Sequence, residues 1–397
     1  MIQTIISNAK NPEYGQATIS FPIKENDYLN VVELLRSMGL GNPLERDCRV
    51  DEVCGDWPIL KRLEKVAINL DEMDYLARRL DSFDMQEKAK FQAAAVRFGL
   101  FDMRQLIDLT FCCQETTLIT DFSDLEKIGR RHFLDVNGGS ASSEELKNVD
   151  GYETALLLIG EGDGTITPYG VIYDNGMQLR PVYDGQHFPF YLGQDCAMIV
   201  GVTDADKSIQ DVDTTWLYLP TSKAQINRAL VRANLHGETM KLQIESSDCP
   251  SEVTALLNEG NESLEEVNEL AAAIFPLSDF EKAKLSAVIR MVNPGAVKEV
   301  TVLTQNLDEF RFIPCVRNAE EYGRYLICGR KESSPDPGLD QFIDYEAYGQ
   351  YRAARECGQF SDYGYVSYLG ELSLNKLMAK VPGHQPELRS KLQMGGM

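Results

Sequence analysis

Gly160, Gly162 and Gly164 are the first residues whose spacing suggests chemistry, because glycine-rich loops can cradle phosphates. Here the run follows an apolar helical stretch instead of a strand, and Glu161 and Asp163 stand between the glycines. Two carboxylates repel a phosphate, so the run reads as a helix end and a turn. Neighbouring carboxylates recur at Asp71-Glu72, Glu144-Glu145, Asp308-Glu309 and Glu320-Glu321. Such pairs act as general acids, bases or metal ligands only where they are buried and convergent. Their place on the polar side of amphipathic stretches predicts a solvated face. The histidines, His132, His187, His236 and His384, are scattered. The cysteines, Cys48, Cys54, Cys112, Cys113, Cys196, Cys249, Cys315, Cys328 and Cys357, include no CxxC pair and no zinc-like grouping with histidine. No GxSxG, Walker, HExxH or Cys–His signature occurs. The chain therefore reads as a protein that is not an enzyme and that uses no metal and no cofactor.

The elements that position these groups come in two sets. Leu70–Ala93 (LDEMDYLARRLDSFDMQEKAKFQA) returns 194 residues later as Leu264–Ala287 (LEEVNELAAAIFPLSDFEKAKLSA). Nine of the 24 positions are identical, among them Leu70/Leu264, Glu72/Glu266, Leu76/Leu270 and Glu87/Glu281. Random pairing gives about one or two matches. Further on, Glu126, Gly129 and Arg130 fall on Glu320, Gly323 and Arg324, Asp150 falls on Asp344, and Gly164, Tyr169 and Gly170 fall on Gly358, Tyr363 and Gly364. The period is too long for a solenoid and indicates tandem duplication of a folded body.

Each copy opens with a strand and helix: ATISFPI at 17–23 and a helix over 27–38, then TWLYLPT at 215–221 and a helix over 224–235. A helical centre follows. Asn69 and Asp84 can cap helices in the first copy, and Ser263 and Ser278 in the second. Leu70, Met73, Leu76, Ala77 and Leu80 form an apolar stripe, with Asp71, Glu72, Asp74, Arg78 and Arg79 on the other face. Each copy closes with a strand (116–119; 311–313), a helix (121–133; 318–327), a polar loop (137–145; 329–338), a further helix, and a strand (165–173; 359–368). The expected class is α+β. The first copy spans 1–195, with a β-plus-helix unit at about 1–55, a helical part at 56–112 and a mixed part at 113–195. An acidic linker follows at 196–213, then a second copy at 214–371, divided near 250 and 305, and a basic tail at 372–397.

The 397 residues carry 61 acidic and 39 basic side chains, a net of −22. Such a chain repels nucleic acid and membrane surfaces and attracts proteins with basic clefts. Between Glu144 and Asp213 there are 13 acidic and 3 basic residues, a net of −10. The N-terminus lacks a signal-peptide core, and no run approaches the length of a membrane span. Reduced thiols in a cytoplasm are the simplest setting for nine cysteines.

Ile343-Asp344-Tyr345-Glu346-Ala347-Tyr348-Gly349, Gly358-Gln359-Phe360 and Asp362-Tyr363-Gly364-Tyr365-Val366 resemble the C-terminal IDYxAYGR…GxF…GY stretch of the ArdA-type antirestriction proteins. Residues 263–323 resemble that family's centre, and the first copy keeps VDGYE at 149–153 with Gly164, Tyr169 and Gly170. The resemblance implies an elongated α+β protein of three small domains, a homodimer that imitates bent B-form DNA and fills the DNA groove of type I restriction-modification enzymes. Such proteins are carried by mobile genetic elements. One duplicated chain could supply both arms as a monomeric pseudo-dimer. The carboxylates that mimicry would use are Asp71, Glu72, Asp74, Asp121, Asp124, Glu126, Glu144, Glu145, Asp150, Glu153, Glu161 and Asp163, with Glu265, Glu266, Glu269, Glu320, Glu321, Asp344, Glu346 and Asp362. Interspersed Arg78, Arg79, Lys88, Lys90, Arg130 and Arg131 depart from a dense acidic face. They leave two alternatives: inhibition of another nucleic-acid-guided defence complex, or an acidic scaffold without mimicry.

Overall fold

The computed structural model describes residues 1–193, 195–204, 206, 213–235, 240–259, 262–329 and 342–379. It shows an α+β protein that divides into two compact units. Unit 1 comprises Met1–Asp195, Val202–Trp216 and Ser222–Lys241, and unit 2 comprises Cys196–Gly201, Leu217–Thr221 and the residues from Leu242 on.

The chain begins with β1 (Ile2–Asn8), β2 (Gln16–Phe21), α1 (Glu25–Ser37), β3 (Cys48–Gly55) and β4 (Ala67–Ile68). These strands form a sheet in the order β2-β1-β3-β4. In β2, Ala17, Ile19 and Phe21 point inward and alternate with exposed neighbours, the two-residue period of a pleated strand with one buried face. Beyond the sheet lie α2 (Leu70–Asp81), α3 (Met85–Arg97) and α4 (Met103–Leu109). Asn69 caps α2, and Asp84 with Glu87 forms a reciprocal capping box on α3. Met73, Leu76, Leu80, Phe91 and Leu106 are fully buried between these helices.

The third part of unit 1 holds β5 (Thr117–Ile119), α5 (Leu125–Val136), α6 (Ser143–Asn148), α7 (Gly151–Glu161), β6 (Thr165–Thr167) and β7 (Gly170–Tyr173). Next come β8 (Met198–Asp204), β9 (Thr215–Leu219), α8 (Lys223–Arg232), β10 (Met240–Ser247), α9 (Ser251–Glu259), α10 (Leu264–Ile274), α11 (Asp279–Val292) and α12 (Val297–Gln305). The chain continues with β11 (Phe310–Pro314), α13 (Ala319–Cys328), α14 (Tyr345–Arg355), β12 (Gln359–Phe360), β13 (Gly364–Tyr368) and α15 (Leu374–Met378).

The sheets β5-β7-β6 and β11-β13-β12 share one register at the 194 spacing. Thr117, Leu118 and Ile119 face Tyr173, Ile172 and Val171; Arg311, Phe312 and Ile313 face Ser367, Val366 and Tyr365. Gly170 and Gly364 have φ of +132° and +148°, and a Cβ on either would collide with the carbonyl of Ile119 or Ile313. Those glycines start the return strand, so the single strands expected over 165–173 and 359–368 are hairpins.

Three other expectations need correction. Residues 198–204, assigned to a linker, form β8, whose Met198–Thr203 are buried. The loop at 137–145 contains the start of α6, which Ser142 and Glu145 cap reciprocally. Residues 222–241, read as the opening of the second copy, pack with unit 1. The loop at 330–338, residues 207–212 of the linker, residues 380–397 of the tail, His236 and His384 lie outside the described residues.

Candidate functional site

The helices α5 and α7 cross at backbone distance. A Cβ on Gly129 would overlap the Gly151 carbonyl, and one on Gly151 would meet the Glu126 carbonyl. Only glycine permits this approach. It brings Glu126 to the start of α7, where its carboxylate accepts from Tyr152 N–H (2.9 Å) and from Arg130 Nε (2.6 Å). Asp124 caps α5 through Lys127 N–H (3.0 Å), and Asp150 caps α7 through Glu153 N–H (3.0 Å). Anions at helix starts are favoured by the unpaired N–H groups and the helix dipole there. Ser142 hydrogen bonds hold Glu145 below the usual carboxylate range, and Ser123 does the same for Asp121. Asp121, Asp124, Glu126, Glu144, Glu145, Asp150, Glu153, Glu161 and Asp163 are all exposed. The body from 121 to 163 carries 10 acidic and 4 basic residues, a net of −6.

Unit 2 repeats the scaffold with a different surface. A Cβ on Gly323 would overlap the Tyr345 carbonyl, and Asp344 caps α14 through Ala347 N–H (2.8 Å). Glu320, Glu321, Asp344, Glu346 and Asp362 are exposed, as are Glu265 and Glu269 on α10. Several are paired: Glu320 with Arg324 (3.1 Å), and Asp362 with Arg290 (2.9 Å). Glu266 is half-buried, and its ion pair with Lys298 (2.7 Å) leads the interactions that lower its pKa. Between 315 and 357 there are 8 acidic and 6 basic residues, a net of −2.

Asp71, Glu72 and Asp74 do not belong to any surface. They are 8%, 3% and 6% exposed. Arg228 of α8 grips Asp71 with two parallel hydrogen bonds (2.8 and 2.9 Å), and Tyr28 Oη donates to the same carboxylate (3.0 Å). Tyr183 Oη donates to Glu72 (3.1 Å). Asp74 accepts from Ile23 N–H (2.6 Å) and Arg78 Nε (2.9 Å), and burial raises its pKa. The polar face of α2 is covered by α8, by the 41–46 loop and by the 182–191 loop. Asn69 donates to the carbonyls of Asn42, Pro43 and Glu45, and Asp108 accepts from Val182 and Tyr183 N–H. The clasp residues Arg228, Arg232 and Tyr183 carry no sequence signal, because Arg228 lies 157 residues from Asp71.

The glycine run behaves as a helix end: Gly162 caps α7 through Leu158 O (2.9 Å), and Gly164 lies under the Tyr173 ring. His132 Nδ1 sits 2.9 Å from Thr117 Oγ1, and His187 Nδ1 sits 2.7 Å from Asp184. All nine cysteines are free. Among the described residues no group of three or more His, Cys, Asp or Glu side chains could hold a metal ion, and no helix is long and apolar enough to cross a membrane.

Comparison with known proteins adds one finding. Residues 212–367 match the family model described as antirestriction protein (ArdA). No curated protein matches the chain.

Proposed function

We propose, from the match of residues 212–367 to the antirestriction protein (ArdA) family model, that the chain is an antirestriction inhibitor acting by DNA mimicry. In this reading exposed carboxylates take the place of phosphates in the DNA-binding groove of a type I restriction-modification enzyme. The observation that carries it is the acidic body of α5, α6 and α7, with nine exposed carboxylates at fixed positions. A groove that accepts duplex DNA attracts about one negative charge per 1.7 Å of helix axis. Capped helix starts hold Asp124, Asp150 and Glu145 in place, which lowers the ordering cost of binding. The 315–357 body contributes fewer net charges, through Glu320, Glu321, Asp344 and Glu346. Asp71, Glu72 and Asp74 make no contribution, because they are buried.

The two halves are, on this proposal, tandem copies of one ancestral body. The shared strand register and the matching glycine crossings support that origin.

A competition assay tests the function. The full chain is titrated into a purified type I complex bound to duplex DNA, at low and moderate salt. Displacement of DNA that weakens steeply with salt supports mimicry. A combined Glu144→Gln, Glu145→Gln and Glu153→Gln variant should displace DNA less well, with folding unchanged. Failure to displace DNA at low salt would overturn the type I target. A second reading, an acidic scaffold, draws on Leu156 and Leu157 of α7 and on Ile166 of the following β6, which are exposed. Its partner would bind with little dependence on salt.

A further inference from the structure

A cleft of about 470 Å³ opens in unit 1 at the starts of α2 and α4. Arg46, Asn69, Glu72, Asp102, Arg104 and Arg232 line it. The proposed inhibition does not use it. Three guanidiniums against two carboxylates make it a positive spot in a chain of net charge −22.

Arg232 is only 5% exposed. Its guanidinium donates to neutral acceptors alone: Pro43 O, Asn69 Oδ1, Tyr183 Oη and Gly185 O. Its Nε has no hydrogen-bond partner. Arg104 is exposed, lies across Gly185 and donates only to the Asp184 carbonyl. Among the described residues neither arginine has a carboxylate partner. Arg46 alone is paired, at 3.4 Å to Glu72 and 3.2 Å to Asp102. Glu72 is 3% exposed, and its Oε2 faces Arg46 Nε at 3.4 Å without the alignment of a hydrogen bond. A buried cation whose hydrogen bonds all go to neutral groups, and a buried carboxylate oxygen that accepts no aligned hydrogen bond, are both costly arrangements.

We propose that this cleft binds a small oxyanion that also carries a hydroxyl, of the phosphate class. Guanidinium forks match the oxygens of such an ion, with Arg46 and Arg104 at the mouth and the Arg232 charge beneath. The hydroxyl supplies Glu72 Oε2 with an aligned donor, which Arg46 Nε at 3.4 Å is not. Sulfate offers the same oxygens but no hydroxyl at neutral pH, so the cleft should prefer phosphate.

Calorimetric titration of the full chain with inorganic phosphate, methyl phosphate and sulfate tests this. Saturable phosphate binding at one site is expected, with sulfate weaker. The methyl phosphate arm, run about one pH unit below the monoester's second pKa of about 6 so that it keeps a hydroxyl, separates free phosphate from a monoester as the natural ligand. Arg104→Gln and Arg46→Gln, both at exposed positions, should each weaken binding by about tenfold or more, the effect of losing one charged hydrogen bond. Arg324→Gln in unit 2 should leave it unchanged. No saturable uptake by the unaltered chain, or equal phosphate binding by both cleft variants, would overturn the site. Equal binding of sulfate and phosphate would overturn the part assigned to Glu72. Both readouts are independent of DNA displacement, so this proposal and the inhibitor reading fail separately.

Discussion

The helices α2 and α10 have related sequences and opposite surroundings. Asp71, Glu72 and Asp74 of α2 correspond at the 194 spacing to Glu265, Glu266 and Asn268 of α10. In unit 1 all three acids are buried under an arginine clasp; in unit 2 Glu265 is exposed and Glu266 half-buried. The polar face of a helix is therefore not by itself a surface: what covers it decides. One position shows how the two solutions converge. Asn268 accepts from Thr221 N–H and donates to Thr221 O, both at 2.9 Å. In unit 1 the same backbone role takes two side chains: Asp74 accepts from Ile23 N–H, and Arg78 donates to Ile23 O (3.0 Å).

The largest way to break this comparison is Asp71→Ala. It leaves Arg228 buried without its counter-charge and should cost about 3–5 kcal/mol in denaturant unfolding. Adding Arg228→Met should restore much of the loss, since removing both partners of a buried pair is far milder than removing one. Next in size are Gly129→Ala and Gly323→Ala. Each drives a methyl into a carbonyl of the facing helix and should cost about 1–3 kcal/mol or more, read as a lowered melting temperature. Similar losses in the two units would sharpen the view that both bodies share one scaffold. A loss in only one would break it.

A smaller effect is expected from importing the unit 2 solution, Asp74→Asn with Arg78→Ala. Stability at neutral pH should change by no more than about 1 kcal/mol. Its pH dependence should change more clearly. Burial raises the Asp74 pKa above its ordinary value of 3.8, so the folded chain keeps a proton that the unfolded chain has released. That contribution makes stability fall as pH rises from 3.8 through the raised value, and the double variant should lose it. Smallest of all is Glu265→Ala, which should stay within about 0.5 kcal/mol, because that side chain is exposed.

The two acidic bodies extend the comparison. Helix crossing and caps are common to 121–163 and 315–357, the strands that flank them share one register, and the net charge is −6 against −2. Backbone close approach fixes glycine, and helix starts favour a capping side chain. The remaining surface positions are free to differ.

Much was legible in the sequence because it rests on local physics. Helices over 70–81, 85–97, 264–274 and 279–292 follow from apolar periodicity and from Asn69, Asp84, Ser263 and Ser278 as caps. The exposure of Glu144, Glu145, Asp150 and Glu153 follows from polar runs with capping residues. The 194-residue spacing, visible in the letters, recurs in the register of two sheets. Only tertiary structure decided that Asp71, Glu72 and Asp74 lie inside, that residues 222–241 pack with unit 1, and that Arg46, Arg104 and Arg232 line one cleft. Each of these depends on segments far apart in the chain. A carboxylate on a helix face looks the same in sequence whether water or an arginine 157 residues away satisfies it.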